Sequence, residues 1–143
     1  MNNKKEVDFR CPCHSGATYR ECCKRYHDGV LPETALQLMR SRFSAYAMKL
    51  PEYIIDTTHP ENPAYRNDRA KWKKEIESFS ESTVFEGLEI LDFVPGEIKA
   101  IVTFTAVLHQ EDRDATFTEK SFFEKVDGRW LYHTGVMEPL KEN

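Results

Sequence analysis

The sequence has no long apolar run, no net positive charge and no cysteine outside one short stretch. No window approaches about eighteen consecutive apolar residues, the length that a membrane-spanning helix needs. No apolar run follows the lysines near the N-terminus, as a signal peptide would require. The formal net charge of −4 argues against nucleic-acid binding. These absences predict a cytoplasmic protein without a membrane segment, in a compartment where thiols stay reduced.

The chain divides into two unequal parts, although its 143 residues are near the usual size of a single domain. Residues 1–30 are loop-like and hold few large apolar side chains, so an apolar core cannot fold them. Residues 31–143 carry the periodic apolar patterns of regular helices and strands. We therefore expect two units, residues 1–30 and residues 31–143, with different means of stabilisation.

All four cysteines lie in the stretch CPCHSGATYRECC. Their spacing, C-x-C-x8-C-C, presents two close pairs on either side of a turn, as structural zinc sites do. Disulfides within either pair would be strained. The pattern predicts a structural Zn²⁺ held by Cys11, Cys13, Cys22 and a fourth ligand, which is Cys23 or, one helical turn later, His27. The alternative is a set of unpaired structural or redox-active cysteines.

The apolar spacing after residue 30 predicts helices first and strands second. The predicted helices run from Thr34 to Leu50, with Thr34 and Gln37 as a capping box, from Pro51 to just before His59, and from Asn67 to Phe79, and a short helix from Thr18 to Lys24 is expected in the cysteine stretch. The predicted strands are Val84–Val94, Ile98–His109, Ala115–Val126 and Arg129–Thr134, with a type I′ turn at Asp127-Gly128. This order predicts an α+β fold in which about three helices cover one face of a curved antiparallel sheet.

Several motifs resemble those of known proteins. The pattern C-P-C-x-S-G-x-x-Y-x-x-C-C resembles the SEC-C zinc motif, and with MRSRFSAY, TTHP, EKSFF and GRWLY the chain resembles the YchJ-like family. The resemblance implies a zinc knuckle in residues 1–30 and a domain similar to nuclear transport factor 2 in residues 31–143. Such a domain is a cone of curved sheet wrapped by helices. By analogy with other SEC-C elements, the knuckle would contact a protein partner.

In a cone-shaped fold the natural ligand site lies between the sheet and the helices. Strand alternation puts Glu119, Ser121 and Phe123 on one face, and Trp130, Tyr132 and Thr134 on one face of the next strand. The expected pocket residues are Arg42, Tyr46, His59, Trp72, Glu119, Ser121 and Trp130. Each also has a purely structural interpretation: Glu119 in an ion pair with Arg42 or Arg40, His59 as a hydrogen-bonding loop anchor, and the two tryptophans as core residues.

Two main functions fit these features. The first is a non-catalytic binding or adaptor protein, in which the basic knuckle residues Arg20, Lys24 and Arg25 contact a protein partner while the larger domain forms a homodimer or holds a small apolar ligand. The second is a small lyase, isomerase or hydrolase that uses Glu119 or His59 as a general base. A metal carrier or sensor is a third. The basic residues between positions 66 and 74 are expected to form a solvated helix face.

Overall fold

The structure is a computed structural model that describes residues 9–139, so positions 1–8 of the predicted knuckle and positions 140–143 lie outside the described part. The described helices are α1 (Lys24–His27), α2 (Ala35–Ala47), α3 (Pro51–Asp56) and α4 (Arg69–Glu81). The strands are β1 (Val84–Val94), β2 (Lys99–Gln110), β3 (Arg113–Asp114), β4 (Phe117–Val126) and β5 (Arg129–Glu138). The predicted α+β architecture is confirmed.

The strands form one antiparallel sheet in the order β1-β2-β4-β5, and the short β3 pairs with the end of β2. Between β4 and β5, Asp127 and Gly128 have φ angles of 52° and 80°, the left-handed conformations that a type I′ turn requires. Strand β3 lies between the predicted strands Ile98–His109 and Ala115–Val126, where no element was predicted. Strand β5 continues to Glu138, four residues beyond the predicted end at Thr134.

A β-bulge in β5 changes which residues face the helices. Phe122 pairs with Thr134 and Phe123 with Tyr132, so His133 is the extra residue. Beyond the bulge, Gly135 pairs with Ser121 and therefore takes the helix-covered face. The prediction that Thr134 shares a face with Tyr132 is wrong, because strict alternation fails at the extra residue.

Helix α2 lies across the covered face of the sheet and forms most of the core with it. The predicted capping box is present: the backbone N–H of Gln37 donates to the Thr34 hydroxyl, and the Gln37 side chain accepts from the Thr34 N–H. The helix ends at Ala47 rather than Leu50, because Lys49 has a φ of 60° and cannot continue it. Its buried face packs on the sheet through a cluster that includes Leu38, Met39, Phe43, Val102, Phe104, Phe123 and Trp130.

Helices α3 and α4 enclose a second apolar cluster against α2, formed by Ala45, Ile54, Ile55, Trp72 and Ile76. Helix α4 begins at Arg69 rather than Asn67, because the Asp68 side chain accepts the backbone N–H of Lys71 and caps the helix.

Among residues 9–139, no helix is long and apolar enough to cross a membrane.

The cysteine stretch folds as a series of turns followed by α1. Arg10 and Thr18 form an isolated antiparallel bridge, and the carbonyl of Tyr19 accepts the N–H groups of both Cys22 and Lys24. The predicted helix from Thr18 to Lys24 is wrong in position: these contacts hold residues 18–23 in turns, and the helix begins only after the last cysteine.

Candidate metal centre and cavity

The four cysteine Sγ atoms converge at one point, and all lie within 4.8 Å of one another. The Sγ atoms of Cys13 and Cys22 are 3.6 Å apart, and those of Cys22 and Cys23 are 3.9 Å apart. A tetrahedral zinc with Zn–S bonds of about 2.3 Å has sulfur atoms about 3.8 Å apart. The cysteines are all free thiols. Their arrangement therefore fits a metal ion with four sulfur ligands, and no disulfide joins them in the structure.

Hydrogen bonds among the thiols distribute the protons unevenly. The hydrogen bond with Cys13 raises the pKa of Cys11 to about 11, and the same contact lowers the pKa of Cys13 below its ordinary value. The hydrogen bond with Cys11 raises the pKa of Cys23. Without a cation, these hydrogen bonds thus favour a thiolate at Cys13 beside thiols at Cys11 and Cys23. Because zinc binds thiolates, metal binding would release the remaining protons.

His27, the alternative fourth ligand, has both ring nitrogens engaged elsewhere. Its Nε2–H donates to the Ser41 carbonyl over 2.9 Å, so Nδ1 accepts from the Tyr19 hydroxyl at 2.7 Å. Burial lowers the pKa of His27, which agrees with a neutral ring. The cysteine group whose ligand atoms all lie within 4.8 Å of one another consists of Cys11, Cys13, Cys22 and Cys23 and does not include His27. The geometry therefore favours Cys23 over His27 as the fourth ligand.

The cysteine turns are attached directly to the larger domain. Arg40 on α2 donates from Nη1 to the Cys13 carbonyl over 3.0 Å. The His14 ring, which follows Cys13, donates to the Phe85 carbonyl over 3.3 Å and lies edge-on to Phe43. Both phenylalanines line the internal cavity described next. A conformational change at the metal site would therefore alter the positions of Phe43 and Phe85 in one wall of that cavity.

A cavity of about 350 Å³ lies between the sheet and helices α2 and α4. Its walls are mainly aromatic and aliphatic side chains, among them Tyr46, Trp72, Phe79, Phe104 and Phe117. Of the seven expected pocket residues, five line it: Arg42, Tyr46, Trp72, Glu119 and Ser121. Trp72 also belongs to the core cluster between the helices, so its structural and pocket interpretations both apply.

Glu119 is held inside the cavity by two neutral hydroxyl groups. Its Oε2 accepts from Ser121 Oγ over 2.5 Å and from the Tyr132 hydroxyl over 2.7 Å. Burial, together with the Glu119 charge, raises the pKa of Tyr132, so this hydroxyl stays protonated and donates. Glu119 is thus a fixed acceptor at the end of a short hydrogen-bond chain.

Arg42 does not form an ion pair with Glu119, which was the structural interpretation of Glu119 in the sequence. Its Nη1 donates to the Ile54 carbonyl and to the hydroxyls of Thr57 and Thr58, over 2.8 to 3.1 Å. Its guanidinium carbon lies 4.7 Å from the centre of the Tyr132 ring, a cation–π contact. Arg40, the other proposed partner, is turned toward the knuckle. Glu119 therefore forms an ion pair with neither arginine, although Arg42 lines the same cavity.

His59 lies outside the cavity and anchors a loop along the edge of β5. Its backbone N–H donates to the Tyr132 carbonyl, and its ring stacks on His133 at 4.3 Å. The ring Nδ1 accepts the N–H of Glu61, so Nε2–H donates to Glu124 over 2.8 Å. With both nitrogens occupied and no access to the cavity, His59 matches the loop-anchor interpretation and is poorly placed as a base.

Trp130 also lies outside the cavity. It shares the helix-covered face with Tyr132 but sits nearer the hairpin, where its indole N–H donates to the Glu33 carbonyl just before α2. Trp130 is a buried member of the main core, in agreement with the structural interpretation.

Two residues at the carboxylate were absent from the expected pocket set. Tyr132 supplies one hydroxyl, and Gly135 supplies space: a Cβ atom at Gly135 would lie 2.2 Å from Glu119 Oε2. A glycine inside a strand signals close approach of another group, which is the signal that could have identified it. The bulge that turns Gly135 inward has no sequence signature of its own.

The chain is similar to proteins that share both of its parts. Residues 34–135 match the family described as "YchJ, middle NTF2-like domain". A UPF0225 protein of Actinobacillus succinogenes is 37% identical over 131 residues, which cover 90% of this chain and 82% of the relative. The similarity thus extends over most of both sequences.

Two solved structures agree with this. The solution structure of a SEC-C motif containing protein from Rhodopseudomonas palustris has a TM-score of 0.76 and 30% identity, covering 90% of this chain and 98% of that chain. The crystal structure of a SEC-C motif containing protein from Psychrobacter arcticus has a TM-score of 0.75 and 27% identity, covering 96% of this chain and 88% of that chain.

Proposed function

This chain belongs to the YchJ-like family, and we propose that it is a zinc-binding cytoplasmic protein whose knuckle recognises a protein partner. The observation that carries the metal assignment is the convergence of four free thiols with tetrahedral sulfur spacing. Cys11, Cys13 and Cys23 are at most 3% exposed, so a bound zinc would be shielded from substrates and serve a structural role. Zinc suits the all-sulfur ligand set, and free thiols suit a reducing compartment.

The knuckle surface supports a role in recognition rather than catalysis. Arg20 and Arg25 are exposed around the cysteine turns, and Lys24 is half-buried beside Asp28, with which it forms an ion pair. Just after α1, Val30 and Leu31 are 56% and 52% exposed. The knuckle thus carries basic and apolar groups on one short segment. Such a surface is complementary to a partner segment that has acidic and apolar side chains.

A charge-reversal experiment tests this proposal. We expect the variant with Arg20→Glu, Lys24→Glu and Arg25→Glu to keep its zinc but to lose specific cross-linked partners from cell extract, as measured by quantitative mass spectrometry. The matched control reverses three exposed charges elsewhere, Lys71→Glu, Lys74→Glu and Arg113→Glu, and should keep those partners. If the knuckle variant captures the same proteins as the wild type, the recognition role is refuted.

The cavity supports a second candidate function, the binding or conversion of a small apolar ligand with Glu119 as acceptor or general base. The specific observation is a carboxylate fixed by two hydroxyl groups in an aromatic cavity, where a bound molecule would contact it directly. His59 is not part of this candidate, because its ring is engaged outside the cavity. For any substrate that is found, Glu119→Gln should abolish turnover but leave zinc content unchanged. Normal turnover in that variant would refute catalysis by Glu119.

Homodimer formation stays a prediction. Nucleic-acid binding gains no support from the basic run on and before α4, because Arg66, Arg69 and Lys73 each lie in an ion pair with an acidic side chain.

A further inference from the structure

The cavity combines aromatic walls with a carboxylate whose charge is only partly satisfied. Both hydroxyl donors, from Ser121 and Tyr132, reach the same oxygen of Glu119, Oε2. Within residues 9–139, Oε1 receives no hydrogen bond. Glu119 is partly buried, so a ligand in the cavity would displace water from this oxygen and would have to supply a donor in its place. A hydrogen-bond donor of a ligand would therefore gain the most binding free energy at Oε1.

The cation in the cavity wall, Arg42, forms no ion pair with Glu119. Its Nη1 donates to Ile54, Thr57 and Thr58, and its guanidinium carbon lies 4.7 Å from the centre of the Tyr132 ring. A second carboxylate, Glu75, also lines the cavity, and its ion pair is formed with Arg66 at the surface. The charged residues of the cavity wall are thus two carboxylates and one arginine, and the free oxygen of Glu119 favours a ligand that brings a positive charge.

The walls suit such a ligand as well. Tyr46 packs edge-on against Phe79, and Phe79 and Phe43 each pack edge-on against Phe85, so several rings surround the space. Aromatic faces attract ammonium groups by about 0.5–2 kcal/mol, and more strongly where water is excluded. Aromatic and aliphatic walls also bury the apolar body of a ligand.

From this geometry we propose that the cavity binds a compact organic amine, with an aromatic or alicyclic body against the rings and its protonated nitrogen on Oε1 of Glu119. The inference rests on the proposed cavity function and gives it a ligand class. The ammonium group donates to the free oxygen, while Ser121 and Tyr132 hold the other oxygen in place. An anionic ligand of the same shape would be repelled by the carboxylate.

Three naphthyl probes of similar size and different charge test the proposal: naphthylmethylamine, naphthylmethanol and naphthoate. They are titrated into the zinc-loaded full chain at neutral pH, with calorimetry for affinity and aromatic NMR shifts at Trp72 and Phe104 for location. We expect the amine to bind in the cavity about tenfold or more tightly than the alcohol, with naphthoate weakest. Glu119→Gln should remove the preference for the amine and leave alcohol binding within about twofold. Glu89→Gln, an exposed change on β1 outside the cavity, should alter neither.

The possible failures are distinguishable. If alcohol and amine bind equally in the wild type, or if the amine preference survives in Glu119→Gln, the ligand class is refuted but the cavity remains a binding site. If no probe shifts the cavity signals, both the ligand class and the cavity function are refuted. The knuckle proposal depends on neither result, because its test uses zinc content and cross-linked partners.

Discussion

Gly135→Ala is the smallest change that tests the architecture around Glu119. A Cβ atom at this position would lie 2.2 Å from Glu119 Oε2 and 2.6 Å from the Tyr132 hydroxyl oxygen. Both distances are far below an ordinary contact, so the carboxylate must move away. Oε2 accepts the hydrogen bonds from both Ser121 and Tyr132, so a movement of the carboxylate that relieves the close contact breaks both bonds.

Each hydrogen bond to a charged group contributes about 1.5–3 kcal/mol, and the two share one acceptor and are not additive. We therefore expect Gly135→Ala to lower the free energy of unfolding by about 3 kcal/mol. The chain offers a matched control in another strand. At Gly87 the new Cβ would lie 3.5 Å from Val107, an ordinary contact, so Gly87→Ala should be neutral or stabilising by about 0.5 kcal/mol.

Urea unfolding of the zinc-loaded chain measures both effects, and a double-mutant cycle with Glu119→Ala assigns the cause. Once the carboxylate is removed, the cost of Gly135→Ala should fall by more than half. The reasoning is refuted if Gly135→Ala and Gly87→Ala have equal effects. It is refuted as well if the cost of Gly135→Ala is unchanged in the Glu119→Ala background.

Three further predictions concern the buried cation, the tyrosine beside the carboxylate and the metal. Arg42→Met should destabilise the fold by about 3 kcal/mol in urea unfolding, because it removes the buried guanidinium that donates to the Ile54 carbonyl and to the hydroxyls of Thr57 and Thr58. The exposed change Arg66→Met should cost less than about 0.5 kcal/mol, and similar costs for the two variants would contradict this prediction. The pKa of Tyr132 is raised in the folded state, so stability should fall as the pH rises above about 10. Glu119→Gln should lower that pKa in a ¹³C-tyrosine NMR titration, and an unchanged titration would contradict the contribution of Glu119 to it. Chelation of zinc should shift the NMR signals of Phe43 and Phe85 through His14, and unchanged signals would show that the knuckle and the cavity are independent.

Local signals in the sequence predicted the elements well. The capping box at Thr34 and the turn at Asp127-Gly128 are specified by residues close together in the chain, and both are present. The alternation along β4 placed Glu119 and Ser121 on the helix-covered face, where the cavity lies. The family resemblance read from the motifs is confirmed over residues 34–135.

What the sequence could not give depends on contacts between distant residues. His59 lies outside the cavity because its loop pairs with β5 at Tyr132, which is more than seventy positions away in the sequence. Gly135 faces the carboxylate only because a bulge adds His133 to the strand. Arg40 and Arg42 are two residues apart, yet one binds the knuckle and the other lies over Tyr132. Tertiary packing determines where these side chains lie, and the hydrophobic periodicity of the sequence does not reveal it.

The central claim is that four thiolates hold a structural zinc, and zinc-edge X-ray absorption of the full chain tests it most directly. We predict one zinc per chain with four sulfur ligands at about 2.3 Å and no nitrogen ligand. Cys23→Ser should replace one sulfur with a lighter atom, and His27→Asn should leave the spectrum unchanged. A nitrogen ligand that disappears in His27→Asn, or a purified chain that binds no zinc, would contradict the account.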